Sequence, residues 1–145
     1  MTDFLDFNKG VIEEFRANDG VVGGPMAGMP IMLLNMIGAK TGRELCSPLV
    51  YSTDDGDVIV IASKGGAPQH PHWYHNLVAN PDVTVEVGTD RYTARAELVE
   101  GDERDRLYAA QAAEMPQFAD YAESAAKVGR VIPVFRLVRT GGSST

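Results

Sequence analysis

The stretch Val83–Val99, VTVEVGTDRYTARAELV, decides the fold class of this chain. Two short runs that contain β-branched residues flank Gly88-Thr89-Asp90, and this glycine suits the positive φ of a tight turn. Strands joined by so short a connection must run antiparallel. The segment Asp54–Asp57 is a second hairpin turn of the same kind, again with a glycine. The sequence therefore predicts a sheet of mostly antiparallel strands.

Further strands and several helices are predicted on both sides of this hairpin. Apolar residues at three-to-four spacing indicate a helix near the N-terminus, and the same spacing indicates two helices broken at Pro116. A short aromatic helix around Trp73 completes the set. This order favours an α+β fold, a small barrel of about six strands with peripheral helices. The strands are expected at Ile31–Ile37, Leu45–Thr53, Asp57–Ser63, Val83–Val87, Arg91–Val99 and Val131–Val138.

The 145 residues are expected to form one compact domain. The expected parts are a helix at 1–20, a loop rich in glycine and proline at 21–30, the barrel at 31–140 and a frayed tail at 141–145. The loop would let the first helix dock on a partner subunit or as a peripheral contact on a membrane surface. Packing on the domain's own core is the favoured interpretation, because the polar face of this helix is acidic rather than basic.

Composition restricts the partners and the location. The chain has 13 Lys and Arg against 20 Asp and Glu, a net charge of −7, which argues against a nucleic-acid partner. It has no apolar run long enough to span a bilayer and no signal-peptide pattern at its start. A cytoplasmic location is therefore expected. The single cysteine, Cys46, is expected in the core rather than as a nucleophile.

Three histidines raise the question of a metal site. In a helix, His72 and His75 share a face, whereas His70 precedes Pro71 and lies outside the first turn. No cysteine or carboxylate lies between them. Histidines on the helix surface are therefore expected, and no metal site is predicted. Ser63 lies near His70 in sequence, but no nucleophile and base pair can be assigned.

Two glycine-containing turns hold cations that could bind an anionic ligand. Gly38–Arg43, GAKTGR, holds Lys40 and Arg43, and Ser63-Lys64-Gly65-Gly66 follows another strand. A hairpin of the second and third strands would bring these cations together, and lysines beside glycine N–H groups attract phosphate or carboxylate. Incidental charges on a surface turn are the alternative. With Asn76 available to a ligand ring, the site suits a phosphorylated planar cofactor.

Three segments resemble the deazaflavin-dependent nitroreductase family: GMPIMLLNMIGAKTGRE at 28–44, ASKGGAP at 62–68 and HPHWYHNLVANP at 70–81. The resemblance covers Gly28 to Arg139. It implies a split β-barrel, related to FMN-binding barrels, that binds reduced coenzyme F420 and passes a hydride to a quinone, nitro compound or activated enone. Two alternatives stay open: an FMN-dependent oxidoreductase on the same barrel, and a non-catalytic carrier of the deazaflavin.

The resemblance also implies roles for individual residues. Where many members carry an arginine, this chain has Leu45, and Arg43 is expected to substitute for it. The implied cofactor-binding residues are Lys40, Arg43 and Lys64 with Gly65 around the phosphate and acidic tail, and Pro48, Leu49, Ser63 and Asn76 along the ring.

The acceptor side is expected to differ from that of the nitroimidazole-reducing members. Phe118 and Tyr121 would roof the acceptor pocket and, with Ser63, are the implied catalytic candidates. Only Tyr121 keeps a hydroxyl that can orient an acceptor or donate a proton. The resemblance thus implies poor reduction of bicyclic nitroimidazole prodrugs and retained quinone reduction. It also implies a possible homodimer, because related flavin barrels share sites across subunits.

Overall fold

The computed structural model describes residues 2–23, 30–63 and 70–141. These residues form four helices and seven strands. The helices are α1 (Thr2–Ala17), α2 (His72–Ala79), α3 (Gly101–Glu114) and α4 (Gln117–Ala126), and the strands are β1 (Ile31–Ile37), β2 (Glu44–Val50), β3 (Ser52–Asp54), β4 (Asp57–Ile61), β5 (Asp82–Val87), β6 (Asp90–Val99) and β7 (Val134–Arg139).

The strands form one sheet in the order β2-β1-β5-β6-β7-β4-β3, and every pairing is antiparallel. The two edge strands, β2 and β3, are separated along the chain only by Tyr51. Edges this close along the chain require the sheet to curl round on itself. The curled antiparallel sheet with helices outside it confirms the predicted α+β barrel.

One predicted strand is in fact two. The run Leu45–Thr53 changes direction at Tyr51, whose N–H donates to the carbonyl of Pro30 at 3.1 Å. The expected hairpin of the second and third strands is found only for its last part, because β3 pairs with β4, whereas β2 pairs with β1 at the opposite edge of the sheet. The turn at Asp54–Asp57 joins β3 to β4 as predicted, with Asp55 and Gly56 at φ 55° and 86°.

The barrel interior is apolar and is closed at one end by α2. Alternate residues of the strands, such as Met32, Leu34 and Val60, form one cluster with Trp73 and Leu77 of α2. The ring centroid of Trp73 lies 6.0 Å from that of Phe135 on β7. Burying side chains of this size is the main stabilising contribution to the fold. Helix α2 is therefore held firmly beside the strand ends where the two predicted basic turns begin.

Helices α3 and α4 cover the outer face of β4 and β7. Their shared cluster contains Tyr108 and Phe118 from the helices and Ile59 and Val134 from the strands. The break at Pro116 between the two helices is confirmed. Strand β7 begins at Val134, later than predicted, because Pro133 has no N–H for the ladder.

Helix α1 packs on the outer face of the sheet beside β1. Val11 and Phe15 are buried against Ile31 and Leu33. This burial favours the packing interpretation of α1 over a membrane contact. Across the described ranges, no helix is long and apolar enough to cross a membrane. Most of the predicted loop, 24–29, and most of the tail, 142–145, lie outside the described residues.

A buried carboxylate anchors the end of α1. Glu86 on β5 accepts hydrogen bonds from Arg16 at 2.8 Å and from Asn35 at 2.8 Å, and Arg91 forms a further ion pair with it at 2.9 Å. Burial raises the pKa of Glu86, but the hydrogen bonds from Arg16 and Asn35 outweigh it and the pKa is lowered. The carboxylate is therefore charged, and α1 is tied to the sheet by a polar contact as well as by its apolar face.

Candidate functional site

The turn between β1 and β2 presents two cations to solvent. The N–H of Gly38 donates to the carbonyl of Arg43 at 2.8 Å, and the N–H of Gly42, at φ 70°, donates to the carbonyl of Gly38 at 3.0 Å. Lys40 and Arg43 are exposed. Their side chains form no hydrogen bond or ion pair within the described part of the chain. The turn thus holds two positive charges that no carboxylate of the described ranges neutralises.

Asn76 on α2 holds this turn in place. Its side chain is buried, its Oδ1 accepts from the N–H of Ala39 at 2.9 Å, and its Nδ2 donates to Met36 Sδ at 3.6 Å. One helical turn later, Asn80 donates to the carbonyl of Ile37 at 3.4 Å. The structure therefore brings Asn76 to the turn that carries Lys40. A contact between its amide and a ligand ring stays a prediction.

Arg130 organises the other end of α2. Its Nη1 donates to the carbonyl of Ser63 at 2.9 Å, its Nη2 donates to the carbonyl of Ala62, and its Nε donates to His70 Nδ1 at 3.0 Å. Its own N–H donates to the carbonyl of Ala125 at 2.9 Å at the end of α4. Lys64 and Gly65 follow Ser63 directly but lie outside the described residues.

Sequence reasoning missed Arg130. A signal for its position was present, because Gly129, at φ 75°, is the glycine that ends α4 and sets the direction of the next residue. The fold then places that residue beside the end of β4, where Ala62 donates its N–H to the carbonyl of Pro133 at 2.9 Å. Only this tertiary contact shows what the guanidinium binds.

The two ends of α2 therefore define the candidate site. A helix of eight residues is about 12 Å long. The turn with Lys40 and Arg43 lies against Asn76 in its second half, and Ser63 is linked through Arg130 to His70 just before its first residue. Helix α2, and not a hairpin of two strands, therefore connects the Gly38–Arg43 turn with Ser63, the one described residue of the second predicted turn.

Pro48 and Leu49 lie on β2, next to the same turn. Leu49 pairs with Met32 and packs on the barrel interior, whereas Pro48 pairs with Leu33, whose side chain is on the outer face. Their side chains therefore point to opposite faces. Among the described strands, β2 pairs only with β1, so the backbone groups of its other edge are available to a ligand.

The two aromatic candidates for the acceptor pocket differ in burial. Phe118 is buried between α4 and the sheet, and its carbonyl accepts a 2.6 Å hydrogen bond from the hydroxyl of Tyr108. Its expected place as the roof of an open pocket is corrected, because an aromatic ring this well packed is a core residue. Tyr121 is half-buried, with its ring centroid 5.2 Å from that of Phe118. In the described ranges its hydroxyl has no protein partner.

A polar groove of about 710 Å³ lies elsewhere, on the outer faces of β1, β2, β5 and β6. Arg16, Asn35, Leu45, Cys46 and Arg91 are among its lining residues, and none of the predicted site residues lines it. Burial raises the pKa of the Cys46 thiol, which is therefore neutral and a poor nucleophile. Leu45, which the resemblance places where many family members carry an arginine, lines this groove.

The histidines do not gather a ligand set. Nδ1 of His70 is occupied by Arg130, and its ring centroid lies 4.2 Å from that of Tyr74. The described ranges contain no group of three or more His, Cys, Asp or Glu side chains that could hold a metal ion.

Comparisons with known proteins agree on one family. The model of the F420H(2)-dependent quinone reductase family matches residues 9–139. An F420H(2)-dependent quinone reductase of Mycobacterium tuberculosis is 36% identical over 126 residues, which are 86% of this chain and 85% of the relative.

Two solved structures support the same relationship. An F420-H2 dependent reductase is 37% identical with a TM-score of 0.67, covering 74% of this chain and 93% of that chain. A domain-swapped dimer is 34% identical with a TM-score of 0.69, covering 94% of this chain and 98% of that chain. The family match over nearly the whole chain, together with these relatives, shows that this chain belongs to the F420H(2)-dependent quinone reductase family.

Proposed function

We propose that this protein binds reduced coenzyme F420 and passes its hydride to a quinone. The observation that carries the proposal is the pair of unneutralised cations, Lys40 and Arg43, on a turn that α2 holds rigidly. In the described ranges every other arginine side chain has a hydrogen bond or ion pair. The other described lysines, Lys9 and Lys127, are each a single cation rather than one of an unpaired couple. The curated relatives are named for this coenzyme and this acceptor class.

The residues present fit an acidic, planar cofactor. Phosphate and carboxylate groups require cations, which the Gly38–Arg43 turn presents in a protein of net charge −7. The unpaired edge of β2 at Pro48 and Leu49 offers backbone groups to a ring. Lys64 and Gly65 would extend the anion site, and Ser63 would lie beside the ring.

Reduced F420, when bound, supplies the hydride. The protein's own part is to bind, orient and exclude water. Lys40 and Arg43 hold the acidic end, and the edge of β2 orients the ring against the barrel, so placement contributes more than acid and base groups. Tyr121 would donate a hydrogen bond to the acceptor oxygen, which needs a proton once the hydride has arrived.

Titration of the protein with F420 and with FMN in parallel, followed by fluorescence, tests the cofactor. Tight binding of F420 with weak binding of FMN is expected. Preferential binding of FMN would replace the proposal by the flavin alternative. Tight F420 binding without reduction of menadione or any other acceptor would indicate a carrier. Lys64→Ala is expected to weaken F420 binding about tenfold, because one charge-assisted contact is lost.

The acceptor class is tested by comparing menadione with a bicyclic nitroimidazole under reduced F420. We expect menadione to be reduced faster, because Phe118 is buried and Tyr121 is the one tyrosine of α4. Equal rates for the two acceptors would contradict this specificity.

We also infer that two copies associate by exchanging α1. The 34% identical solved structure is a domain-swapped dimer, and the glycine- and proline-rich 21–30 segment joins α1 to β1. The contact between Arg16 and Glu86 would form equally well between two copies. Arg16→Glu and Glu86→Arg proteins should therefore form a mixed dimer on refolding together, measured by light scattering. A mixture that stays monomeric would contradict the exchange.

A further inference from the structure

The side-chain amide of Asn76 is already used by the protein itself. Its Oδ1 accepts from the N–H of Ala39 at 2.9 Å, and its Nδ2 donates to Met36 Sδ at 3.6 Å. We propose that Asn76 is a positioning residue, which orients Lys40 and Arg43 toward the acidic end of F420, and not a contact of the ring. This role rests on the proposed function, and every residue that carries it lies in the described ranges.

The orientation of this amide follows from its two partners. A backbone N–H can only donate, so the atom that faces Ala39 is the oxygen, and the nitrogen is left for the thioether sulfur, a weak acceptor. Asn76 is 6% exposed, and its helix neighbours Trp73 and Leu77 are buried in the barrel cluster. Turning the amide toward a ligand would break the bond to Ala39, which costs free energy. The amide therefore serves the turn.

The turn fixes its own shape but not its orientation on the barrel. The N–H of Gly38 donates to the carbonyl of Arg43 at 2.8 Å, and Thr41 Oγ1 accepts from the N–H of Arg43 at 3.2 Å. Both bonds lie within the turn and would remain if the turn moved as a unit. In the described ranges, the bond from Ala39 to Asn76 is the one hydrogen bond that joins the turn to a helix. Asn76 thus sets the direction in which the turn points.

Asn80 holds the strand that leads into this turn. Its Nδ2 donates to the carbonyl of Ile37, the last residue of β1, at 3.4 Å. Its own N–H donates to the carbonyl of Asn76 at 2.8 Å, at the end of α2. Two side chains from α2 and its C-terminal cap therefore hold neighbouring points of the backbone that carries the cations.

A turn held in this way lowers the cost of binding an anion. Lys40 and Arg43 can contact one acidic group together only if the backbone that carries them is in place, since otherwise binding must also order the turn. The hold therefore acts on affinity for the phosphate and acidic tail rather than on hydride transfer. Asn76→Ala should raise the F420 Kd about tenfold, with a smaller change in kcat at saturating F420.

Asn35→Ala is the matched control. Asn35 lies on β1, and its Nδ2 donates to the carbonyl of Thr84 at 3.3 Å and to Glu86 at 2.8 Å. Its amide therefore also joins separate parts of the fold but does not touch the turn. Asn35→Ala should lower Tm and leave the F420 Kd unchanged. Asn80→Ala should raise the F420 Kd less than Asn76→Ala does, because its bond is longer.

Combined variants separate positioning from direct contact. In protein that carries Lys40→Ala and Arg43→Ala, the cations that Asn76 orients are absent, so adding Asn76→Ala should raise the F420 Kd little further. A ring contact would be independent of the two cations and would add its full effect. Fluorescence titration of the single, double and triple variants measures this coupling. An additive loss in the triple variant would refute the positioning role.

NMR spectra give readouts that do not depend on activity. Without cofactor, the amide hydrogen of Ala39 should exchange with solvent faster in Asn76→Ala than in the wild type, because its acceptor is lost. In wild-type protein with bound F420, no nuclear Overhauser effect is expected between the deazaflavin ring and the side-chain amide of Asn76. Such a signal would show a ring contact and would refute the proposal, whether or not Asn76→Ala folds.

The outcomes separate this role from the proposed function. Wild-type protein that binds no F420 would refute both. Wild-type protein that binds F420, with an Asn76→Ala variant that binds it equally, would refute the role of Asn76 alone. Equal increases of Kd in Asn76→Ala and Asn35→Ala would reduce the effect to stability and would refute this role as well. If Asn76→Ala does not fold, an unchanged F420 Kd in Asn80→Ala would refute it.

Discussion

Two cation-rich regions of this molecule differ in what surrounds them. In the Asp54 cluster, formed by Asp54, Asp57, Glu103, Arg106 and Arg136, each guanidinium meets a carboxylate. Arg136 lies 2.7 Å from Asp54, 3.0 Å from Asp57 and 2.9 Å from Glu103, and Arg106 lies 3.0 Å from Asp54. These charges tie α3 to the hairpin of β3 and β4.

The turn with Lys40 and Arg43 is the opposite case. It belongs to the same acidic chain, yet the described residues place no carboxylate within ion-pair distance of either side chain. Hydrogen bonds from Arg106 and then from Arg136 hold the pKa of Asp54 far below its usual range, so the cluster satisfies itself. The comparison indicates that the paired cations of the Asp54 cluster stabilise the fold, whereas the unpaired Lys40 and Arg43 are available to bind a ligand.

The largest effect is expected from removing both unpaired cations. Lys40→Ala combined with Arg43→Ala should raise the F420 Kd about a hundredfold, because two charge-assisted contacts are lost, and should leave Tm nearly unchanged. Added salt should weaken wild-type binding much more than binding by the double variant. Fluorescence titration at two ionic strengths measures both effects. A double variant that binds F420 normally would show that the turn carries incidental charges.

Breaking the Asp54 cluster should give the reverse pattern. Arg136→Ala leaves Asp54 and Asp57 without their shared partner and should lower the free energy of unfolding by about 1–2 kcal/mol, or several degrees in Tm. The F420 Kd should not change. Thermal denaturation and F420 titration of one preparation test the pair of expectations. Weakened cofactor binding at unchanged Tm would remove the distinction between the two regions.

Tyr121 and Tyr108 should show the same contrast, in which one residue affects function and the other affects stability. Tyr121→Phe should lower kcat for menadione about fivefold, because one hydrogen bond to the acceptor is lost. Tyr108→Phe removes the 2.6 Å bond to the carbonyl of Phe118 and should lower Tm while kcat is retained. Equal kcat values for wild type and Tyr121→Phe would exclude Tyr121 from the acceptor site.

The smallest effect is expected from pH. The pKa of Asp54 is lowered in the folded protein, so its contribution to stability is fully present above the ordinary aspartate pKa and is lost as pH falls through the lowered value. The stability difference between wild type and Arg136→Ala should therefore be constant from about pH 8 to about pH 5 and should narrow in stronger acid. Urea denaturation across this range measures it. A difference that grows in acid would show that carboxylate pairing is not its cause.

Much of the fold follows from local signals in the sequence. The hairpin at Gly88, the turn at Asp54–Asp57 and the helix break at Pro116 depend on neighbours a few residues apart, and each is found where it is expected. The division of Leu45–Thr53 at Tyr51 could not be read in this way. No glycine or proline marks the corner, and the two halves pair with different strands, β1 and β4, that lie at distant places in the sheet.

The candidate site was predictable in its residue types and less so in its arrangement. Asn76 lies against the turn that carries Lys40 and Arg43, and this arrangement comes from the packing of α2 and not from a strand hairpin. The convergence of these two cations with Lys64 stays a prediction. The family resemblance implies that Phe118 lines the acceptor pocket, but a resemblance does not show which face of the helix packs on the sheet. No local sequence pattern around Arg130 indicates which residues it contacts.

The sequence alone indicates the four helices, most of the strands, the antiparallel class, the family and the turn with Lys40 and Arg43, because turn chemistry and motif spacing act over short distances. Only the tertiary structure decided which cations are paired, which aromatic ring is buried, and that Arg130 joins Ser63 to His70. Burial and ion pairing are properties of residues far apart along the chain, and they exist only once the sheet has curled and α2 has closed its end.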